Sequence, residues 1–223
     1  MSPRAYEPQH VIARDVEDLQ SLMIHTGARF LFGLSSGAII TLATALATRS
    51  VQRAAVYEPP FYAQGISHAK IEEFKRQVER GDLAGALVTA GRIVQLAPAA
   101  LKAVPDAVLK IGTRALLRRE AKKPAGLYLS LRELIPAMRY DFAVVGGMDG
   151  KIHSFESLST PVLLMGGDRS PGYLRGALTA LQQVLPHSSR VELAGLDHSG
   201  PWNQDRGGHP EKVAAALRAF FAS

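Results

Sequence analysis

A short glycine–serine stretch, Gly33-Leu34-Ser35-Ser36-Gly37, separates an apolar run at residues 29–32 from a longer apolar run at residues 38–47. The five residues fit the G-x-S-x-G pattern, in which a serine occupies a sharp turn between a strand and a helix. Such a turn strains the backbone, so the residues two places before and after the serine are expected to be small. We therefore predict a strand at 29–32 and a helix at 38–47, joined by a tight turn centred on Ser35.

The predicted turn makes Ser35 the candidate nucleophile. It would lift the Ser35 hydroxyl above the sheet, while the following helix points its free N–H groups and partial positive charge at a developing oxyanion. The backbone N–H of Ser36 would be one donor to that oxyanion. The alternative is an accidental turn of small residues; the strand before it and the helix after it favour the catalytic interpretation.

A serine hydroxyl needs a general base, and His198 is the best placed of the seven histidines. It follows a predicted strand at 191–193, in a glycine-containing loop that can reach back over the sheet. The alternative is an ordinary surface histidine. The other histidines lie at helix ends or in polar loops, without metal-ligand spacing, and are interpreted as solvated: His10, His25, His68, His153, His187 and His209. The sequence therefore predicts no metal site, and no cofactor is expected.

Two carboxylates are candidates for the acid that would orient His198. Asp168 follows a buried strand predicted at 162–165, and Glu58 follows a strand predicted at 54–57. Either could hold the imidazole in its useful tautomer and stabilise its charged form. We favour Glu58 slightly, because a charged residue at a strand end before Pro59-Pro60 is an unusual choice for a simple turn. Asp168 stays the alternative, and a surface carboxylate is the plain explanation for either.

Strand-like and helix-like segments alternate at both ends of the chain, which indicates an α/β protein with a parallel sheet of about four strands. The middle of the chain shows only helical patterns. We expect residues 1–66 and 140–223 to form the core and residues 67–139 to form a helical insertion. Prolines are expected to cut that insertion into short helices, at Pro98, Pro105, Pro124 and Pro136.

The composition is that of an ordinary globular protein: 223 residues, 47% hydrophobic, 21% charged and no cysteine. The lack of cysteine excludes disulfides and favours a reducing compartment, so we expect a cytoplasmic protein. We expect no membrane partner, since no signal sequence or long apolar run is present.

The net charge of the chain is +6. Its densest basic cluster is interpreted as a solvated helix face rather than a collar for an anionic substrate: Arg114, Arg118, Arg119, Lys122 and Lys123. No nucleic-acid-binding motif accompanies this charge, so no nucleic-acid partner is expected.

The elbow at 33–37, the strand end at Tyr57-Glu58-Pro59-Pro60 and the loop at 195–198 together resemble the α/β-hydrolase superfamily. This resemblance implies an α/β-hydrolase-like parallel sheet with a helical cap at 67–139. It implies a serine hydrolase that acts on a small apolar ester, thioester or lactone through an acyl-enzyme. Haloalkane dehalogenases of the same superfamily resemble the chain at Tyr57-Glu58, since some place the acid after this strand. They use an aspartate nucleophile, so Ser35 implies ester-type hydrolysis instead.

The chain departs from that superfamily at its beginning. The superfamily has several strands before the elbow helix, and one of their loops supplies a second oxyanion donor. We therefore expect an N-terminally incomplete core and weak activity, because loss of one such donor costs on the order of 100- to 1000-fold in turnover. The strand at 29–32 would have one unpaired side, to which a second copy or a partner could add. A non-catalytic remnant that binds a ligand or partner is the alternative function.

Overall fold

The computed structural model describes residues 11–95, 99–122 and 128–222. It divides into two compact units. Unit 1 comprises Met1–Gly65 and Ala143–Ser223, and unit 2 comprises Ile66–Phe142.

Unit 1 contains a parallel four-stranded sheet in which the strand order follows the chain order. The strands are β1 (Phe30–Leu34), β2 (Arg53–Tyr57), β3 (Val162–Gly167) and β4 (Ser188–Leu193). The prediction of a parallel α/β sheet with about four strands is confirmed. The strand bounds differ from those predicted: β1 continues to Leu34, directly before the elbow, and β4 begins three residues earlier than expected.

Nine α-helices are assigned in the described parts of the chain. They are α1 (Ile12–Thr26), α2 (Ser36–Ala47), α3 (His68–Glu79), α4 (Leu83–Val94), α5 (Ala99–Lys102), α6 (Asp106–Glu120), α7 (Leu131–Gly147), α8 (Gly172–Val184) and α9 (Pro210–Ala222). Short 3-10 helices lie at Ile152–Phe155 and Gln204–Arg206.

The core of unit 1 lies around β2 and β3, whose side chains are almost all buried. Helix α2 contacts β1 and β2, α8 contacts β3 and β4, and α9 contacts β4. Because side chains alternate across a strand, one face of the sheet carries a continuous apolar cluster that includes α9. Its buried members are Ala55, Tyr57, Leu163, Met165, Leu196 and Val213. The packed sheet thus fixes the carboxyl ends of β2 and β3, where the candidate site residues follow.

Strand β1 lies at one edge of the sheet, where β2 is its only partner among the described strands. Its burial alternates, with Leu31 and Gly33 buried. Phe30 and Phe32 are 44% and 40% exposed. Phe30 stacks on Phe221 of α9, with ring centroids 5.1 Å apart. Within the described ranges, the other side of β1 therefore has no strand partner, as the sequence analysis expects.

The described residues of unit 2 are helical wherever they form regular structure, as the sequence predicts. Helix α4 contacts α3 and α6, and Phe74 and Phe142 meet edge to face at 4.9 Å. Pro105 precedes α6 as expected, but the break predicted at Pro136 is wrong. Pro136 is the sixth residue of α7, where its ring removes the N–H that would otherwise donate to the Arg132 carbonyl, and the helix continues past this one missing bond. Pro98 and Pro124 lie outside the described residues.

Helix α6 carries most of the basic cluster and buries Leu117. Arg114, Arg118 and Arg119 are exposed on it, and Lys122 follows it, also exposed; Lys123 lies outside the described residues. This arrangement matches the interpretation of a solvated helix face. Of the helices in the described ranges, none combines the length and apolar character needed to cross a membrane.

Asp82 is the N-cap residue of α4, and its carboxylate makes two contacts that different substitutions affect differently. Its carboxylate accepts the N–H of Gly85 at 3.2 Å and pairs with Lys110 at 2.6 Å. We expect Asp82→Ala to lower the free energy of unfolding by about 1 kcal/mol, because a helix loses its cap, and Asp82→Asn to lower it less, because the amide oxygen can still accept the N–H.

The same residue predicts a pH dependence. The contact with Lys110 lowers the pKa of Asp82, so the carboxylate's contribution is complete at neutral pH and is lost as pH falls through the lowered pKa. Denaturant unfolding of the wild type and both variants at neutral and acid pH measures this. If Asp82→Ala shows the same pH dependence as the wild type, the assignment is wrong.

Candidate active site

The elbow is built at the end of β1 as the sequence predicts. Ser35 has φ 57° and ψ −125°, a conformation that L-residues rarely adopt. Its N–H donates to the carbonyl of Tyr57 at 2.9 Å, which fixes it beside the end of β2. Helix α2 starts at the next residue, Ser36, so the Ser36 N–H lies in the first turn of that helix, next to the elbow.

The sequence predicts that the residues two places before and after Ser35 must be small, and the structure requires this only at Gly33. A Cβ added to Gly33 would collide with the carbonyl of Gly37 and the hydroxyl of Thr41. A Cβ added to Gly37 would meet no heavy atom of its surroundings within 4 Å. The expectation for Gly37 is therefore wrong: α2 passes close over Gly33, while the Cβ direction of Gly37 points into open space.

Glu58 occupies the corresponding place after β2 and is completely buried. It also has a positive φ, 49°. One carboxylate oxygen, Oε1, accepts the N–H of Gly167 at 2.7 Å and the hydroxyl of Ser170. The other, Oε2, lies 2.8 Å from Nδ1 of His198. Each oxygen of this buried carboxylate therefore has a partner, as a buried charge requires.

The side chain of Tyr57 binds the loop that carries His198. Its buried hydroxyl donates to the carbonyl of Asp197 at 2.7 Å. Burial, together with the negative charges of Glu58 and Asp197, raises the pKa of Tyr57, so the phenol stays protonated and keeps donating. A Cβ on Gly200 would strike that hydroxyl, and glycine therefore allows the loop to approach.

Asp168 is placed differently from Glu58. It is exposed, and its Oδ1 accepts the backbone N–H of Gly195 at 2.8 Å. Of the two candidate acids, the structure brings Glu58 and not Asp168 to the His198 ring. His198 is also the least exposed of the described histidines, with 13% of its side chain accessible. The other histidines of the described ranges are exposed: His25, His68, His153, His187 and His209.

Ser35 and Glu58 follow adjacent parallel strands, and His198 is bonded to Glu58. Among the described residues the Ser35 hydroxyl has no hydrogen-bond partner, and the His198 ring has one, Glu58. Hydrogen bonds between a nucleophile and its base are often long without substrate. The described residues contain no group of three or more His, Asp or Glu side chains that could hold a metal ion.

Sequence reasoning missed three contributors: Ser170, Gly167 and Tyr57. Ser170 and Gly167 hold Glu58, and Tyr57 holds the histidine loop. Gly167 has a further role, because a Cβ there would collide with the Leu196 carbonyl. The pair Gly166-Gly167 at a strand end was the available signal, since adjacent glycines often mark close backbone approach.

A cavity of about 540 Å³ adjoins the Glu58 segment within unit 1. One wall begins at Pro60, two residues after Glu58, and another begins at Gly172, two residues after Ser170. Tyr62 and Tyr173 stack in it with centroids 4.7 Å apart, and burial raises the pKa of both phenols, so they stay neutral. The lining is mainly apolar and aromatic, and it includes neither Ser35 nor His198.

Solved structures similar to this chain are α/β hydrolases. An α/β hydrolase from Sphaerobacter thermophilus matches with a TM-score of 0.70 and 24% identity, over 96% of this chain and 76% of that one. A hydrolase from Pseudomonas aeruginosa matches at 0.65 and 17%, and a thermophilic esterase from Thermogutta terrifontis at 0.64 and 18%. Both of these matches cover 100% of this chain and 76% of the other. No protein-family model matches the sequence, and neither does any curated protein.

At these identities the likeness establishes the fold alone. The chain has the α/β-hydrolase fold, with an elbow serine after β1, a buried Glu58 bonded to His198, and glycines at close approaches of the surrounding loops.

The unequal surroundings of Gly33 and Gly37 give a matched pair of variants. Gly33→Ala is expected to destabilise the chain by about 1–3 kcal/mol, because the added methyl group overpacks the elbow. Gly37→Ala is expected to be neutral or slightly stabilising, because alanine is the better helix former. Denaturant midpoints measure both, and equal losses for the two variants would contradict the geometry.

Proposed function

We propose that this chain is a serine hydrolase that cleaves a small apolar ester, thioester or lactone through an acyl-enzyme. The observation that carries the proposal is the bond between the buried Glu58 carboxylate and His198, at the end of the strand next to that of the strained elbow serine. A strained backbone and a completely buried carboxylate bonded to an imidazole are costly arrangements that structural needs alone do not require.

In the proposed reaction, Ser35 Oγ attacks the carbonyl carbon of the substrate. His198 takes the hydroxyl proton on Nε2 and passes it to the departing alcohol or thiol, leaving Ser35 acylated. Water, deprotonated by the same ring, then releases the acid and restores the serine. The Ser36 N–H stabilises the oxyanion in both steps. This chemistry needs neither a metal nor a cofactor.

Glu58 acts in this proposal by holding His198. Its bond to Nδ1 leaves Nε2 as the nitrogen that faces the nucleophile, and its charge stabilises the imidazolium formed in each step. The carboxylate cannot turn away easily, because Gly167 and Ser170 bind its other oxygen.

The substrate class rests on the apolar surroundings. The cavity of about 540 Å³ next to the Glu58 segment is in the size range of small-ligand sites, and its aromatic walls favour an uncharged group. Because its lining contains neither Ser35 nor His198, we propose that it takes an apolar group of the substrate and not the reacting carbonyl. We further propose that unit 2 is the cap of the enzyme and that its apolar side chains, such as Leu87, Val94 and Leu101, help to select the substrate. The lack of cysteine suits a reducing cytoplasm, where we propose that the protein acts.

A fluorophosphonate probe tests the nucleophile directly. Ser35 should displace fluoride and become phosphonylated, and peptide mass spectrometry should place the adduct at residue 35. Ser35→Ala should abolish labelling, whereas Ser36→Ala, the adjacent control, should keep it because the backbone N–H is unchanged. Folded wild-type protein that stays unlabelled, while a control serine hydrolase reacts, would refute the proposal.

Glu58→Gln tests the acid. We expect a loss of roughly 10⁴-fold in turnover of p-nitrophenyl butyrate, as for the corresponding change in other serine triads. The expectation of weak turnover by the wild type stays a prediction that the same assay measures. A Glu58→Gln variant with wild-type turnover would remove this residue from the mechanism.

The open edge of β1 favours a second function, association with another chain. Phe30 and Phe32 are exposed beside backbone groups that have no strand partner in the described residues. Association through this edge should persist in Ser35→Ala and weaken in Phe32→Lys, because an edge lysine opposes strand addition. Light scattering after gel filtration measures both variants; a monomeric wild type would exclude a second copy at this edge.

A further inference from the structure

We infer that Asp168 is a positioning residue for His198, acting through the backbone of the loop that carries the histidine. This inference rests on the proposed function, because it assigns the base to His198. The observation behind it is the bond from the Gly195 N–H to Asp168 Oδ1, 2.8 Å long.

Three hydrogen bonds join the loop after β3 to the loop after β4. The Asp168 N–H donates to the Leu193 carbonyl at 3.3 Å, and the Arg169 N–H donates to the Leu196 carbonyl at 2.9 Å. The third is the bond from Gly195 to the Asp168 carboxylate, and it alone of these three uses a side chain. Substitution of Asp168 can therefore remove one tie and leave the other two.

Besides the bond between Glu58 and the His198 ring, two side chains at the ends of other strands bind the backbone of the histidine loop. Asp168 binds Gly195, three residues before His198, and Tyr57 binds the carbonyl of Asp197, the residue immediately before it. Gly195 has φ 77°, a left-handed conformation in which the chain reverses direction after β4. Because the Asp168 carboxylate binds the Gly195 N–H at this turn, it fixes the direction in which the loop leaves the sheet.

The position of the imidazole depends on that direction. Its Nδ1 must meet Glu58 Oε2 while Nε2 faces Ser35, so rotation of the loop at Gly195 would move both nitrogens. A displacement of about 1 Å at a reacting group can cost roughly 100-fold in rate. Because Asp168 is exposed, water can replace its bond to Gly195, so the folded state as a whole should tolerate its loss.

Replacement of Asp168 by asparagine distinguishes a residue that only anchors the loop from a residue that acts as the catalytic acid. Asparagine keeps an oxygen at the same place and can still accept the Gly195 N–H, so Asp168→Asn should preserve an anchor. A triad acid depends on its charge, and its replacement by the amide costs roughly 10⁴-fold. Alanine removes the acceptor in either case.

The experiment compares wild type, Asp168→Ala, Asp168→Asn and Glu58→Gln in the full chain with p-nitrophenyl butyrate. We expect Asp168→Ala to lower kcat by about 10- to 100-fold with KM unchanged, because nothing that contacts substrate is altered. Asp168→Asn should stay within about twofold of wild type, and Glu58→Gln should be nearly inactive. An Asp168→Asn variant as inactive as Glu58→Gln would overturn the inference and make Asp168 the acid.

A second measurement does not need catalysis. Amide hydrogen exchange of peptides that cover residues 193–198 should accelerate in Asp168→Ala and match the wild type in Asp168→Asn. Unchanged exchange in Asp168→Ala would overturn the inference whatever the kinetics show. If the wild type neither turns over ester nor reacts with fluorophosphonate, the proposed function fails, and the exchange result still decides whether Asp168 holds the loop.

Discussion

The carboxylate of Glu58 is the constraint on which the site depends. It is completely buried, and a buried charge is tolerated only when strong partners replace the water it has lost. Those partners come from three places in the chain: Gly167 at the end of β3, Ser170 in the loop that follows, and His198 in the loop after β4. One side chain therefore ties together the segments after three consecutive strands, and displacement of any of them removes a hydrogen bond from a buried carboxylate.

Two adjacent glycines make this arrangement sterically feasible. A Cβ on Gly166 would lie 2.9 Å from Glu58 Oε1, and a Cβ on Gly167 would run into the Leu196 carbonyl. Since neighbouring residues of a strand face opposite sides, one glycine admits the carboxylate and the next admits the histidine loop. Side chains at either position would push apart the groups that the buried charge requires to be close.

The sequence contained enough information for the elbow, the four strands and the principal pair, because these depend on local patterns. Gly33–Gly37 lies between a strand and a helix, and the odd placement of a charge before Pro59-Pro60 pointed to the carboxylate that bonds His198. The roles of Ser170 and Asp168 depend on how closely two loops approach, which no local pattern encodes. Pro136 shows the same limit, because whether a helix continues past a proline depends on the packing around it rather than on the proline alone.

The positive φ angles at Ser35 and Glu58 bear on which substitutions these two positions can accept during evolution. Both residues have a positive φ, a conformation that costs a side-chain-bearing residue of order 1–3 kcal/mol. Glycine adopts it freely, so a lineage released from the need for catalysis would gain stability by exchanging Ser35 for glycine. Serine at this turn therefore carries a conformational cost that glycine would avoid, and the catalytic role proposed for Ser35 would account for that cost.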